Sequence, residues 1–256
     1  MRKLTKVFIL VLAIALVATA CGGDDDSLEG RTVSVGVENL YPPFNYIDEA
    51  TGEGAGFDYD IWREICSRLD CEAEFIEAGW PAVIEETGQG VYDTAADGIS
   101  ITEERKAVVA YSDAYMTTIQ KFMVRADEDR FTTSDEFILG DYLVATQVGT
   151  TNYELAETLI GSSRIEAFDN FAFAVEALLS GDVDAVIIDD VAGQGYQGVN
   201  KGELKNLEGN LQSDPLGFIY PHDSDLIDPV NEVIADMKKD GTMNDLIKKW
   251  FIDFEA

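Results

Sequence analysis

The sequence predicts an α/β protein built as two lobes, and three features carry that expectation. From Thr32 onward, strand-like and helix-like segments alternate. The alternation pauses at a long β-rich stretch, Tyr115 to Arg125, and then starts afresh. A second apolar stretch, Leu216 to Tyr220, precedes two amphipathic helices. Two β-rich crossings around a central block predict a discontinuous first lobe, residues 31–117 with 215–256, and an inserted second lobe, residues 118–214.

In chain order the first element is an export signal, residues 1–20. Arg2, Lys3 and Lys6 form a basic start, and Val7 to Val17 form an apolar run too short to span a bilayer. Ala18-Thr19-Ala20-Cys21 follows and resembles a lipobox, which makes Cys21 the lipidated N-terminus. The lipobox pattern usually has Leu where this chain has Ala18, so a plain secreted form is the other reading. Residues 21–30, opening with Gly22-Gly23-Asp24-Asp25-Asp26-Ser27, read as a flexible acidic tether. With Cys21 assigned to lipid, Cys66 and Cys71 remain as a pair in an oxidising compartment and are expected to form a disulfide, two free thiols being the alternative.

In the first lobe, Thr32 to Val37 alternates and is β-branched, as a strand would be. Gly56 to Leu69 shows helical spacing through Ile61, Ile65 and Leu69. Cys71 to Ile76 is a strand, Ala82 to Glu86 a short helix, Asp93 to Ala96 a strand, and Thr102 to Val108 a helical turn. In the second lobe Tyr142 to Thr146, Arg164 to Ala167 and Ala185 to Ile188 read as strands, and Tyr153 to Leu159 and Phe171 to Leu179 as helices. Val230, Val233, Ile234 and Met237 line the first C-terminal helix, and Leu246, Ile247, Trp250 and Phe251 the second, with Gly241 between them as a C-cap.

Without residues 1–20 the chain carries 15 basic and 49 acidic side chains, a formal charge of −34. Nucleic acid is excluded as a partner by that field. A zinc site is not expected, because His222 is the sole histidine and no second cysteine pair exists. No metal and no cofactor is expected.

Eight segments appear in order: VGVENLYPPFNYID, GFDYDIWREICSRL, the tryptophan of EAGWPAVIEE, YDTAADGISITEER, YSDAYMTT, QVGTTNYELA, GDVDAVIIDDVA and DGTMNDLIKKWF. Together they resemble the family 3 extracellular solute-binding proteins, the periplasmic amino-acid-binding group of ABC importers, over about residues 31–254. The resemblance implies a two-lobed periplasmic-binding-protein fold of type II. It implies as partners an amino-acid ligand and an ABC permease in the membrane. The expected location is the periplasm or the outer face of the cell membrane, with the chain acting as a lipid-anchored monomer.

An α-amino acid presents a carboxylate and an ammonium close together, so its site needs a planar cation and an acid converging from different elements. By the resemblance Arg105 clamps the carboxylate and Asp189 accepts the ammonium, with Asp190 read as the N-cap of the next helix and the weaker candidate for the ammonium. Gly98 and Ser100 border the same cleft. Thr151, at a helix start after Gly149, offers backbone N–H to the carboxylate. Tyr41, Trp80 and Phe44 match the family's aromatic walls.

Glu38 and Asp97 give the expected specificity. If both point inward, the cleft holds Glu38, Asp97 and Asp189 against Arg105, a formal charge of −2, which favours a basic amino acid. A neutral polar ligand such as glutamine is the alternative, since Glu38 can accept an amide N–H and Gln147 stands at the second-lobe rim. No catalytic residue is expected. The rival reading is a secreted dehydratase-like enzyme with Glu38 and Asp97 as proton carriers. A sensory ectodomain is not expected, because no transmembrane helix follows the domain before Ala256.

Overall fold

The computed structural model describes residues 28–254. The export signal, Cys21 and residues 22–27 of the tether lie outside that range. The last tether residues are docked: Leu28 N–H donates to Leu69 O at 2.7 Å and Gly30 N–H to Asp70 O at 2.6 Å.

The first lobe opens with β1 (Arg31–Val37), in which Val33, Val35 and Val37 are fully buried on one face. A small antiparallel sheet of β2 (Leu40–Tyr41), β3 (Asn45–Ile47) and β4 (Gly54–Ala55) follows. Helix α1 (Phe57–Leu69) buries Ile61, Trp62, Ile65 and Leu69. It ends at Asp70, whose left-handed φ of 55° turns the chain into β5 (Cys71–Glu77). Cys66 and Cys71 are disulfide-bonded across this turn, with their Cα atoms 4.5 Å apart. Helix α2 (Ala82–Gly88), β6 (Thr94–Ala95), a 3-10 turn at Arg105–Ala107 and β7 (Ala110–Tyr111) complete this stretch.

The chain crosses to the second lobe in β8 (Met116–Arg125). There α3 (Ser134–Leu139), β9 (Val144–Gln147), α4 (Thr151–Ile160), β10 (Ile165–Phe168), α5 (Phe171–Ser180), β11 (Ala185–Asp189), α6 (Asp190–Val199) and β12 (Leu204–Asn206) follow. The capping box of α3, Thr133 with Glu136, is a start signal visible in the sequence that our reading passed over. The return crossing is β13 (Gln212–Leu216), antiparallel to β8 along its length. Back in the first lobe, β14 (Ile219–Tyr220) is followed by α7 (Ile227–Asp240) and α8 (Thr242–Phe251).

Each lobe has its own sheet. The first runs β5-β1-β6-β14-β7, with β1 parallel to β5 and β6 and β14 antiparallel to its neighbours. The second runs β10-β9-β11-β8-β12, its first three strands parallel. Phe122, Phe131, Phe137 and Val144 fill the second lobe's core, while Trp62, Phe57, Phe218 and Phe251 anchor the first. Trp62, Trp250 and Phe251 are therefore core residues, as their helix positions predict. No helix among the described residues is long and apolar enough to cross a membrane.

Candidate functional site

The carboxyl ends of the parallel strands β1 and β6 in one lobe face those of β9 and β11 in the other, which is where open α/β sheets place ligands. Between them lies a small pocket lined by residues of both lobes. Glu38 follows β1, Asp97, Gly98 and Ser100 follow β6, and Tyr41, Trp80 and Arg105 close the first-lobe side. Gln147, Thr151 and Asp189 face them from the second lobe. Ten of the binding residues named from the sequence thus border one space.

Arg105 opens the 3-10 turn with its guanidinium 5.1 Å from the centroid of the Trp80 ring. It donates to Ser100 O at 3.1 Å and, across the cleft, to Gly149 O at 3.2 Å. The Trp80 indole N–H also crosses the cleft, to Val148 O at 3.0 Å. Gly149 has φ +68°, and a Cβ there would stand 2.9 Å from Pro81, so this rim needs a glycine both for its backbone and for its close approach.

Helix α4 begins at Thr151, with Thr150 as its N-cap accepting Tyr153 N–H at 3.1 Å. The Thr151 hydroxyl accepts from Gln120 Nε2 at 2.9 Å and lies 3.3 Å from Ser100 Oγ. The start of a helix and two hydroxyls therefore lie beside Arg105, a constellation suited to a carboxylate.

Asp189 is buried, and both of its oxygens are engaged: Oδ2 accepts from Tyr41 OH at 3.0 Å and Oδ1 from Asn152 Nδ2 at 3.3 Å. Burial pushes its pKa up to about 7 against the pull of those two hydrogen bonds. The N-cap assignment is corrected. Asp189 itself occupies the N-cap position of α6, while Asp190 is its first helical residue. The Asp190 carboxylate accepts from Thr118 Oγ1 at 2.9 Å and Ile119 N–H at 3.1 Å, tying α6 to β8.

Tyr41 stacks between Phe44 and Phe171, with centroids 5.4 and 5.2 Å away. Phe44 is not a cavity wall: it lies behind Tyr41, fully buried against Phe57 and Phe251. The wall is Phe171, at the start of α5, which our reading treated as a helix residue only. Asn152 was also missed, because a polar residue at a helix start looks like part of a cap. Gly98 has φ +57°, and a Cβ there would meet Tyr41 and Phe44 at 3.1 and 3.2 Å, so its smallness serves those rings as well as the cleft.

Glu38 and Asp97 both point inward and are buried. Asp97 Oδ1 accepts from Asn45 Nδ2 at 2.7 Å. Gln147 is not at the rim but buried, and its Nε2 donates to Glu38 Oε1 at 2.7 Å across the cleft. Burial raises Glu38 to about 9, helped by the nearby charge of Asp97, and raises Asp97 to about 7 against its bond from Asn45 and the charge of Arg105. The formal charge of −2 counts the ionisable groups, and burial makes these carboxyls hold protons that exposed acids would have lost.

A two-lobed α/β protein with a cavity lined by polar side chains from both lobes is, by fold, a solute-binding protein. The chain belongs to the bacterial extracellular solute-binding proteins, family 3, whose model matches residues 33–253. The L-cystine-binding protein TcyA of Bacillus subtilis (strain 168) is 26% identical over 266 residues, covering 98% of this chain and 97% of TcyA. An ancestral arginine-binding protein solved bound to glutamine superposes with a TM-score of 0.79 at 31% identity, covering 86% of this chain and 97% of that one. The ancestral amino acid-binding protein AncCDT-1, a precursor of cyclohexadienyl dehydratase, gives 0.79 at 32% identity, covering 86% and 95%.

Proposed function

We propose that this chain is the extracytoplasmic, lipid-anchored substrate-binding component of an ABC transporter, binding a polar, basic L-amino acid by lobe closure and delivering it to the permease. The observation that carries this reading is the cavity flanked by Arg105 and Asp189 and walled by the carboxyls of Glu38 and Asp97. In this reading Arg105, Ser100 and the backbone N–H of Thr151 take the α-carboxylate. Asp189 takes the α-ammonium, Tyr41 and Trp80 flank the side chain beside Gly98, and Glu38, Asp97 and Gln147 meet its polar end. The first lobe comprises residues 31–117 with 215–256 and the second 118–214, and the protein works as a monomer tethered through Cys21. Ligand contacts are divided between the lobes, so binding energy is realised in full only on closure, and the ligand selects the closed state.

A neutral polar ligand such as glutamine is the second reading, favoured by the Gln147 amide already bonded to Glu38. Competition at physiological salt separates the two. Arginine, lysine or histidine should displace bound ligand better than glutamine or a branched aliphatic does, and the reverse order removes the basic assignment. Dehydratase activity would require Glu38 or Asp97 to move protons on a bound substrate, and turnover of a ring carboxylate by the purified domain would replace the binding reading with it. Replacement of Cys21 by Ser should release the protein from membranes.

A further inference from the structure

Glu38 and Asp97 leave the ends of adjacent strands, β1 and β6, and border the same cavity while only 8% and 5% exposed. Behind Asp97 sits a third carboxyl. Asn45 uses its Nδ2 group both for Asp97 Oδ1 and for Asp58 Oδ2, the latter at 2.9 Å, and its Oδ1 accepts Asn39 N–H at 2.6 Å. Asp58 is fully buried at the start of α1, and its Oδ1 has no partner among the described residues. This frame holds Asp97 toward the cleft and offers it no cation from behind. Across the cleft Glu38 meets the uncharged Gln147, whose Nε2 is shared with Asp169 O at 3.0 Å. Asp189 faces from β11, and the hydroxyls of Tyr41, Tyr115 and Tyr196 add no positive charge. Arg105 is the one cation lining the cavity among the described residues, and it also serves the carbonyls of Ser100 and Gly149.

Two buried carboxyls on one cavity, sharing only a guanidinium already bonded to two backbone carbonyls, cannot both stay ionised, because each is desolvated and each repels the other. A proton held on one of them leaves the two at a single negative charge. A ligand cation can replace that proton without changing the net charge. We infer that Glu38 and Asp97 form a proton-exchanging cation site, at which a cationic side chain enters the cleft as the proton held by the pair leaves to solvent. The inference rests on the basic-amino-acid reading and adds what that ligand displaces. In the exchange the carboxyl O–H bond breaks, its proton passes to buffer, and N–H donors of the ligand take over the freed carboxylate. The elevated affinities of both carboxyls for protons agree with this arrangement. The preference for a cation over a neutral isostere then rises with pH through the neutral range.

The test is calorimetry of the mature domain at pH 7 with arginine and with its neutral isostere citrulline, each in phosphate and in Tris, whose ionisation heats differ. Arginine should release about one proton more than citrulline, and its affinity should rise up to about tenfold per pH unit where the pair titrates. Asp189 and Arg105 meet the α-groups of both ligands alike, so the difference isolates the side-chain pair. Asp97→Asn keeps an acceptor for Asn45 and should lower the excess and flatten the pH profile, with Glu38→Gln as the second variant. His222→Gln removes the sole histidine and should leave the count unchanged. Arginine binding with heats independent of buffer, or with an excess that neither carboxyl variant alters, overturns the inference and leaves the basic reading standing. Binding of citrulline or glutamine without arginine overturns both.

Discussion

The Tyr41 hydroxyl, in the first lobe, donates to Oδ2 of Asp189 in the second at 3.0 Å, with both residues buried. This bond spans the cleft and orients the acid that our reading assigns to the ligand's ammonium. Tyr41→Phe keeps the ring stacked between Phe44 and Phe171 and removes the bond alone. A buried acceptor that loses its donor costs about 1–3 kcal/mol. Affinity for the ligand should therefore fall roughly 5- to 100-fold with the melting curve of the domain little changed, as calorimetry and circular dichroism can show.

Arg105→Ala and Asp189→Ala should remove binding measurable by calorimetry while the domain stays folded. Removing one member of a buried charge pair costs about 2–5 kcal/mol. Arg105→Lys should not restore binding, because one ammonium cannot hold a carboxylate in a fork and also reach Ser100 O and Gly149 O. Full-strength binding by both alanine variants would remove these residues from the site.

The cleft was legible in the sequence where a residue type is rare for its place: an arginine after a Ser-Ile-Thr turn, or acids at the ends of apolar strands. Asp189 and Glu38 stand out because the strands before them are β-branched and buried. Phe171 and Asn152 did not stand out, since an aromatic or an amide at a helix start is equally at home in a core or a cap. Phe44 misled for the converse reason. It shares a stiff Tyr-Pro-Pro-Phe segment with Tyr41, but one ring faces the cavity and the other lies beneath it. The Asn45 frame was invisible because its partners, Asn39, Asp58 and Asp97, come from separate segments that only the folded lobe brings together.

Cys66 and Cys71 close a loop of sequence separation 5 at the turn from α1 to β5. In the chain-entropy model such a loop stabilises by about 2 kcal/mol. The double variant Cys66→Ala, Cys71→Ala should melt roughly 4–8 °C lower than the oxidised domain. Ligand affinity should be unchanged, because the turn lies away from the cavity lining. Equal melting temperatures for the variant and the oxidised domain would show that the bond adds no stability.

Closure depends on two places where second-lobe glycines meet first-lobe prolines. A Cβ on Gly149 would stand 2.9 Å from Pro81, and one on Gly195 would stand 2.5 Å from Pro42 O. Gly195→Val should hold the lobes apart and lower affinity roughly tenfold or more, since the closed state alone has the full set of contacts. Small-angle scattering at saturating arginine should show a smaller radius for the wild type and a lesser change for the variant. An unchanged wild-type profile would mean rigid lobes.

Stability should fall as pH rises from about 5 to 8, the reverse of what paired surface carboxylates would cause. Asp97 and Asp189, with values near 7, and Glu38, near 9, bind protons more tightly in the folded domain than exposed carboxyls near 4 do in the unfolded chain. A raised folded value means that the stabilisation is complete below about pH 4 and is lost as pH climbs through the folded values. Glu128 behaves oppositely: its bond from Arg130 lowers it to about 2, so its contribution is lost only as pH falls from the ordinary carboxylate range toward 2. The two trends place maximal stability near pH 4. Differential scanning calorimetry of the domain without added ligand should show a melting temperature lower at pH 8 than at pH 5 by roughly 4 °C or more. Asp189→Asn, which cannot ionise, should shrink that difference. A melting temperature that is flat or rises over this range would mean that the cleft carboxyls are already ionised in the folded domain at pH 5.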